Sequence, residues 1–349
     1  MTSMKIGIVT NAFYPGDYAA SKRVSFLAEE LCRRGHKVRV ITNDTNAKKN
    51  IDSPDLEIIK IRGKSYFFSI KTVLKRKLFR DLDYLFATSS NYFNGIPLIF
   101  NKNIPIKHFD IRDSPFLGSE VGERPYWVNK IYYWIGVLSL RLSQKKTALS
   151  KGLAKKFPEF DIKVFPNGAD LNKFYPMKKN DKILKKLREK LGLDEKEKII
   201  GYVGNIRLDE APFEVREFMI KNMGKYKFLI AGEGDHRYIY DELKDNYPEK
   251  FIVLGHVNHN EIPGLINLCE KTIAFDYDSP ERTCAIPLKI YESIACGVPV
   301  IHNKKNSETA KILKKYDFYT KEGCLKNRLE VGWQTTIKKM VNYMEKCVE

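Results

Sequence analysis

The sequence predicts an α/β protein made of two open parallel sheets with helices between their strands. Three observations carry this. Short apolar runs alternate with segments of helical periodicity along nearly the whole chain, a polar lysine-rich stretch from about residue 171 to Lys198 divides the alternation in two, and 349 residues exceed the size at which one hydrophobic core usually stops growing. The hydrophobic fraction of 43% and charged fraction of 30% fit a globular chain, with no repeat or low-complexity tract.

In the first half, Lys5 to Thr10 is an apolar run, and Ser21 to Arg34 places Val24, Leu27, Ala28 and Leu31 at helical spacing before Gly35 ends the helix. Lys37 to Thr42 reads as the next strand, which completes the strand, loop, helix, strand unit of a parallel sheet. Tyr84 to Ala87, Lys107 to Ile111 and Thr147 to Leu149 continue the series. After the turn residues of Pro166-Asn167-Gly168, a second series runs through Lys198 to Gly204, Lys227 to Ala231, Phe251 to Leu254, Thr272 to Phe275 and Val298 to His302. Ligands of such sheets bind beyond the carboxyl ends of the strands, so the chemistry is expected in the loops that follow them.

Composition narrows the partners. Residues 1–170 hold 29 lysines and arginines against 16 acids, while the remainder holds 32 against 27, so the overall charge of +18 is concentrated in the first half. A basic half suits nucleic acid, an anionic membrane or a phosphorylated substrate, and charge alone does not choose. The six cysteines form no C-x-x-C pair and lack the spacing of a disulfide scaffold or zinc site. Met4 to Val9 enters a strand pattern without the regions of a secretory signal, and the apolar stretch Tyr126 to Leu142 is broken by Asn129, Lys130 and Arg141. The expectation is a cytoplasmic protein without a spanning helix.

Several loops could hold an anion. Asn11 to Tyr18 joins the first strand to its helix, where backbone N–H groups and the helix dipole favour negative charge, and Gly16 permits close approach; an ordinary turn glycine is the other reading. The loop lacks the G-x-G-x-x-G of a dinucleotide site. Val203-Gly204-Asn205-Ile206-Arg207 and Ala231-Gly232-Glu233-Gly234 follow strands of the second series, and each is either a ligand loop or a plain structural joint. The segment Pro287 to Ile301 puts Ile290, Ile294 and Ala295 on one helical face, with Lys289 and Glu292 elsewhere and Gly297 and Pro299 closing the helix. Glu292 either favours the helix dipole or accepts ribose hydroxyl protons.

This segment resembles the corresponding helix and turn of the family-4 retaining glycosyltransferases, whose GT-B fold consists of two facing Rossmann-like domains. Phe165 to Phe174 looks like the family's interdomain linker, Leu229 to Gly234 and Val253 to Val257 look like its glycine-containing strand ends, and Trp333 opens a last helix of the kind that returns to the first domain. The resemblance implies an acceptor domain over residues 1–170, a nucleotide-sugar domain over 171–330 and a returning helix over 331–349. Asp110-Ile111-Arg112-Asp113-Ser114-Pro115 looks like a strand end found in a subgroup that builds surface polysaccharides. By position, the resemblance implies that Gly16, Gly204, Asn205 and Gly232 approach the donor, that the backbone from Gly255 through His256 and Val257 flanks the base, and that Glu292 holds the ribose. Thr283, Cys284, Ala285 and Ile286 would line the phosphates. Lys22, Arg23 and Asp113 would meet the acceptor, with Asp113 orienting or deprotonating its hydroxyl.

Two departures stand out. Cys284 occupies the place of the first acid of the family's E-x7-E motif, and the phosphate grip has Asn205 at its arginine position and Glu210 at its lysine position. Arg207 is the expected phosphate cation and catalytic group, with Lys289 or Arg282 as reserves. No cofactor or metal is expected: Asp276-Tyr277-Asp278 imitates a D-x-D motif that belongs to a different fold. The expected function is metal-independent transfer of a sugar from a nucleotide sugar to a lipid-linked or glycan acceptor, by a peripheral protein on the inner face of an anionic membrane and without a nucleic-acid partner. An inactive nucleotide-sugar-binding protein is the alternative. Lys64 to Arg80, with cations between Tyr66, Phe67, Phe68 and Phe79, suits such a membrane or a half-buried helix equally.

Overall fold

The computed structural model describes residues 3–16, 18–89, 91–117 and 125–346. The chain divides into two compact units, Met1–Asn167 with Gln334–Glu349, and Gly168–Trp333.

The first unit is built on a seven-stranded parallel sheet in the order β3-β2-β1-β4-β5-β6-β7. Its strands are β1 (Lys5–Thr10), β2 (Lys37–Thr42), β3 (Leu56–Lys60), β4 (Tyr84–Thr88), β5 (Ile106–Ile111), β6 (Lys145–Ala148) and β7 (Lys163–Val164). The central strands β1 and β4 are buried almost throughout, which is why they read as unbroken apolar runs. Strand order reverses between β1 and β4, and this places a switch-point crevice beyond Thr10 and Thr88. The edge strands β3 and β7 escaped the sequence reading: β3 alternates Glu57 and Lys60 with apolar residues, and β7 has only two residues.

The second unit carries a five-stranded parallel sheet in the order β10-β9-β8-β11-β12. Its strands are β8 (Ile199–Val203), β9 (Lys227–Ala231), β10 (Phe251–Gly255), β11 (Lys271–Ile273) and β12 (Val300–Ile301). One cluster of buried side chains includes Leu229, Ile266, Ile290 and Ile294, and another includes Tyr202, Ile230, Met219 and Tyr240. Both sheet faces are therefore covered. The reversal falls between β8 and β11, so the loop after Val203 lies at the switch point.

A buried ion pair organises the first unit. Arg23, on the first helix (Ala19–Arg33), is fully buried and donates through Nε and Nη2 to Asp110 on β5, both at 2.9 Å, while its Nη1 reaches the carbonyls of Phe165 and Pro166. Thr147 on β6 donates to the same carboxylate at 2.6 Å. Burial alone would raise the Asp110 pKa, but Arg23 and the hydrogen bonds outweigh it and hold the carboxyl below its usual value. The expectation that Arg23 meets an acceptor is thus corrected: its donors are spent inside the unit and none of its surface is open.

The last helix, Trp333–Glu345, completes this unit. Arg34 pairs with Glu345 at 2.5 Å, and His36 Nε2 approaches the same carboxylate at 3.1 Å. Since His36 Nδ1 accepts the Met4 N–H at 3.2 Å, the ring proton sits on Nε2 and faces Glu345. Lys145 donates to the Tyr343 carbonyl and lies over its ring.

Arg23→Met should destabilise the first unit by about 3–5 kcal/mol, because it strands a buried carboxylate. Denaturant unfolding followed by circular dichroism checks this. The Asp110 carboxylate is stabilising above its ordinary pKa of 3.8, so the parent's advantage over Arg23→Met should shrink as pH falls through the lowered value.

Candidate active site

Three loops of the second unit stack at the carboxyl ends of β8, β9 and β10. Gly204 leaves β8 with φ +142°, a conformation open to glycine, and its N–H donates to Ala231 O at 3.0 Å. A Cβ on Gly232 would overlap the Gly204 carbonyl, and one on Gly234 would overlap the carbonyl of Ile206. The loops approach so closely that side chains are excluded. Gly232 N–H in turn donates to Gly255 O at 2.9 Å, and Glu233 accepts the His256 N–H at 2.8 Å. The His256 amide is therefore spent on Glu233, and at this position the loop offers a carbonyl rather than a donor. Val257 beside it is half-buried.

Around this stack lie three cations and three acids. Lys289 pairs with Glu210 and holds its ammonium 4.4 Å from the centre of the Tyr202 ring, whose hydroxyl donates to Asn205 O. Arg282 reaches the other oxygen of Glu210 at 2.9 Å, donates to the Asp209 carbonyl at 3.0 Å and lies 3.7 Å from Asp276. Arg207, with nearly half its side chain exposed, pairs with Asp209 at 3.3 Å. Asn205 is exposed. Burial would raise the Glu210 pKa, but Lys289 and Arg282 together hold it below the usual carboxylate value. At Asp276 burial wins over the pull of Arg282, and the pKa rises to about 6.

Beyond this cluster, residues 279–286 form a tight turn. The amides of Thr283 and Ala285 donate inside it, to Ser279 O and Arg282 O, so they are not free to line phosphates as expected. Cys284 is buried and its Sγ donates to Glu281 O at 2.9 Å, so this position turns inward where the resemblance expects a sugar-binding acid. Ile286 is part of the core. Glu292, on the helix Leu288–Ala295, is buried with His259 Nε2 3.8 Å from its carboxylate, and His259 itself stands edge-on to Phe174. His259 escaped the sequence reading although it lies two residues beyond Val257. The two acids of the D-x-D imitation diverge: Asp276 faces Arg282 and His302 in the interior, whereas Asp278 is exposed and pairs with Lys304. No group of three or more potential metal-binding side chains occurs among the described residues.

In the first unit, the Gly16 N–H closes a turn on Phe13 O, and a Cβ there would fall 2.9 Å from Ser21 Oγ, so this glycine is required by packing on the helix start. Lys22 is half-buried and Asp113 is exposed at the end of β5, with its carbonyl accepting from Tyr92. The neighbouring Arg112 is buried, which lowers its pKa to about 10, and its Nε and Nη1 have no hydrogen-bond partner among the described residues.

Residues 184–327, which contain nearly all of this cluster, match the family profile described as glycosyl transferases group 1. The chain is similar to the UDP-Gal:alpha-D-GlcNAc-diphosphoundecaprenol alpha-1,3-galactosyltransferase of Escherichia coli, at 25% identity over 63% of this chain and 58% of that protein. It also resembles the alpha-monoglucosyldiacylglycerol synthase of Acholeplasma laidlawii, at 23% identity over 85% of this chain and 80% of the relative. Among solved structures, Anabaena HepE in complex with UDP aligns with a TM-score of 0.72 at 13% identity, over 98% of this chain and all of that one. The match thus spans less than two thirds of the Escherichia coli enzyme. The fold is GT-B, and the region that resembles glycosyl transferases group 1 lies in the second unit.

Gly232→Ala should force the loops after β8 and β9 apart and destabilise the second unit by about 1–3 kcal/mol, the cost of overpacking. Thermal unfolding of the variant beside Gly224→Ala, at a glycine with open space around it, measures the difference.

Proposed function

We propose that this chain transfers a sugar from a nucleotide-sugar donor to a lipid-linked or glycan acceptor with retention of anomeric configuration. The observation that carries the reading is the convergence of the glycine-only loops, the buried cations and Glu292 at one sheet end, inside the region that matches the glycosyltransferase profile. The names of two relatives point the same way, since one takes a nucleotide-sugar donor and a diphosphoundecaprenol-linked acceptor and the other makes a glucosylated lipid. In this reading Glu292 accepts the ribose hydroxyls, and the backbone at Gly204 and Gly232 approaches the diphosphate. Arg207 stabilises the charge that grows as the bond from the anomeric carbon to the phosphate oxygen breaks. The acceptor oxygen bonds to the same face of that carbon, and its proton passes to the departing diphosphate. Cations and backbone amides take the part that a metal plays in other transferases.

Calorimetric titration of UDP, GDP and ADP should find one that binds equally well with and without a chelator. Glu292→Gln should weaken that binding by about 1.5–3 kcal/mol, the scale of a hydrogen bond to a charged group. Loss of binding in chelator would overturn the metal-free assignment. Binding without turnover of any nucleotide sugar would mark a binding protein instead, a reading favoured by the inward-turned Cys284.

The membrane partner is proposed on the surface of the first unit. The helix Ser65–Leu74 exposes Tyr66, Phe67, Ile70 and Leu74, while Lys64, Lys71, Lys75, Arg76, Lys77 and Arg80 are exposed around it. The short helix Ile96–Phe100 packs against it and also against the helix Tyr126–Arg141, which exposes Trp127 (64%), Ile131, Trp134 (65%) and Leu138 at spacings of one helical face. No helix of the described residues is long and apolar enough to cross a membrane. Interfacial tryptophans beside cations suit an anionic bilayer surface.

Neutralising Lys75, Arg76 and Lys77 together should weaken binding to anionic vesicles by roughly 3 kcal/mol at moderate salt, at about 1 kcal/mol per cation. Co-sedimentation at 0.1 M and 1 M salt supplies the control, since screening should remove the attraction in the parent. Equal sedimentation of parent and triple variant would remove this segment from the docking surface.

A further inference from the structure

Glu210 is an acid where the resemblance expects a phosphate-binding lysine, and a cation reaches that place from elsewhere in the unit. Lys289, from the helix Leu288–Ala295, lays its stem over the backbone of Gly204: a Cβ built on that glycine falls 3.5 Å from Lys289 Cδ and 3.7 Å from its Nζ. The ammonium then meets one oxygen of Glu210, while Arg282 meets the other at 2.9 Å. Only about a tenth of either cation's side chain is exposed. Two buried cations on one anionic group is the arrangement with which a protein grips a phosphate, and here a carboxylate fills it. The turn that delivers Glu210 is itself strained. Ala211 follows it at φ +51°, a left-handed conformation that costs a residue with a Cβ about 1 kcal/mol or more. Local preference does not favour this turn, so the ion pairs hold Glu210 inward.

We propose that Glu210 is an internal stand-in for the donor's phosphate, occupying the anion position between Lys289 and Arg282 until the diphosphate displaces it. The proposal rests on the nucleotide-sugar reading given above and adds a residue that sets donor affinity by competition. Without a counter-ion, two buried cations would be costly, and Glu210 keeps them paired and ordered while the site is empty. A diphosphate brings about two negative charges against one, so it outcompetes the carboxylate, whereas a singly charged anion does not. Asp276 remains beside Arg282 after the exchange, and Glu210 leaves with its turn.

The test is titration of the nucleoside diphosphate that binds the parent, against Glu210→Gln, Glu210→Asp, Lys289→Met and the double variant Glu210→Gln/Lys289→Met. Removal of the competitor should tighten binding about tenfold in Glu210→Gln and less in Glu210→Asp, whose shorter side chain keeps the charge but reaches less far. Lys289→Met should weaken binding about tenfold, and the gain from Gln should shrink in the double variant. If Glu210→Gln keeps the parent's thermal midpoint but binds equally or more weakly, Glu210 only orders its neighbours and the proposal is wrong. If Glu210→Gln does not fold, Glu210→Asp decides by the same sign. Failure of the parent and every variant to bind any nucleoside diphosphate would instead overturn the nucleotide-sugar reading itself.

Discussion

Glycine-only contact between the loops after β8 and β9 is the constraint on which the second unit's site depends. Because Gly232 lies against the Gly204 carbonyl, and Gly234 against that of Ile206, the chain leaving β8 is pressed onto its neighbour. Lys289 can therefore run over Gly204 without meeting a side chain and bring its ammonium to Tyr202 and Glu210. A larger residue at either glycine would lift the β8 loop, and with it the turn that ends at Ala211. The electrostatic arrangement follows from a backbone contact.

Both units bury charge, and they do so differently. In the first, Arg23 and Asp110 form a closed pair whose remaining donors and acceptors are taken up by Thr147 and by two backbone carbonyls, an arrangement that fixes the first helix to the sheet. In the second, Arg207, Arg282 and Lys289 are balanced by Asp209, Glu210 and Asp276, of which Asp276 is pushed toward its neutral form by burial. Complete satisfaction suits a structural joint. A site that must admit a ligand needs partners it can exchange, and a carboxylate carried on a short strained turn is more readily exchanged than one on a central strand.

The sequence made the sheets legible because parallel strands buried on both faces read as apolar runs, and β1, β4, β8 and β9 were found that way. It hid the edges, where β3 mixes charge with apolar residues. The resemblance put Arg23 at an acceptor, yet it stands four residues before Leu27 and so belongs to the buried stripe of its helix. That spacing was the available signal. The cation cluster of the second unit was legible only as a set of departures, because the pairing of Lys289 with Glu210 joins a helix to a distant turn and no periodicity records it.

The same distinction explains why residue type at one position is a poor guide to the charge of a site. An acid at 210 in place of a lysine suggested a lost grip when the positions were compared one by one. In three dimensions two cations from other elements, Lys289 and Arg282, converge where Glu210 points. The resting partner of those cations is a carboxylate of the chain itself. In the proposed reading a ligand gains only the difference between its own attraction for the cations and that of Glu210, which lowers the affinity of every anion by the same amount and leaves a singly charged one with little net gain.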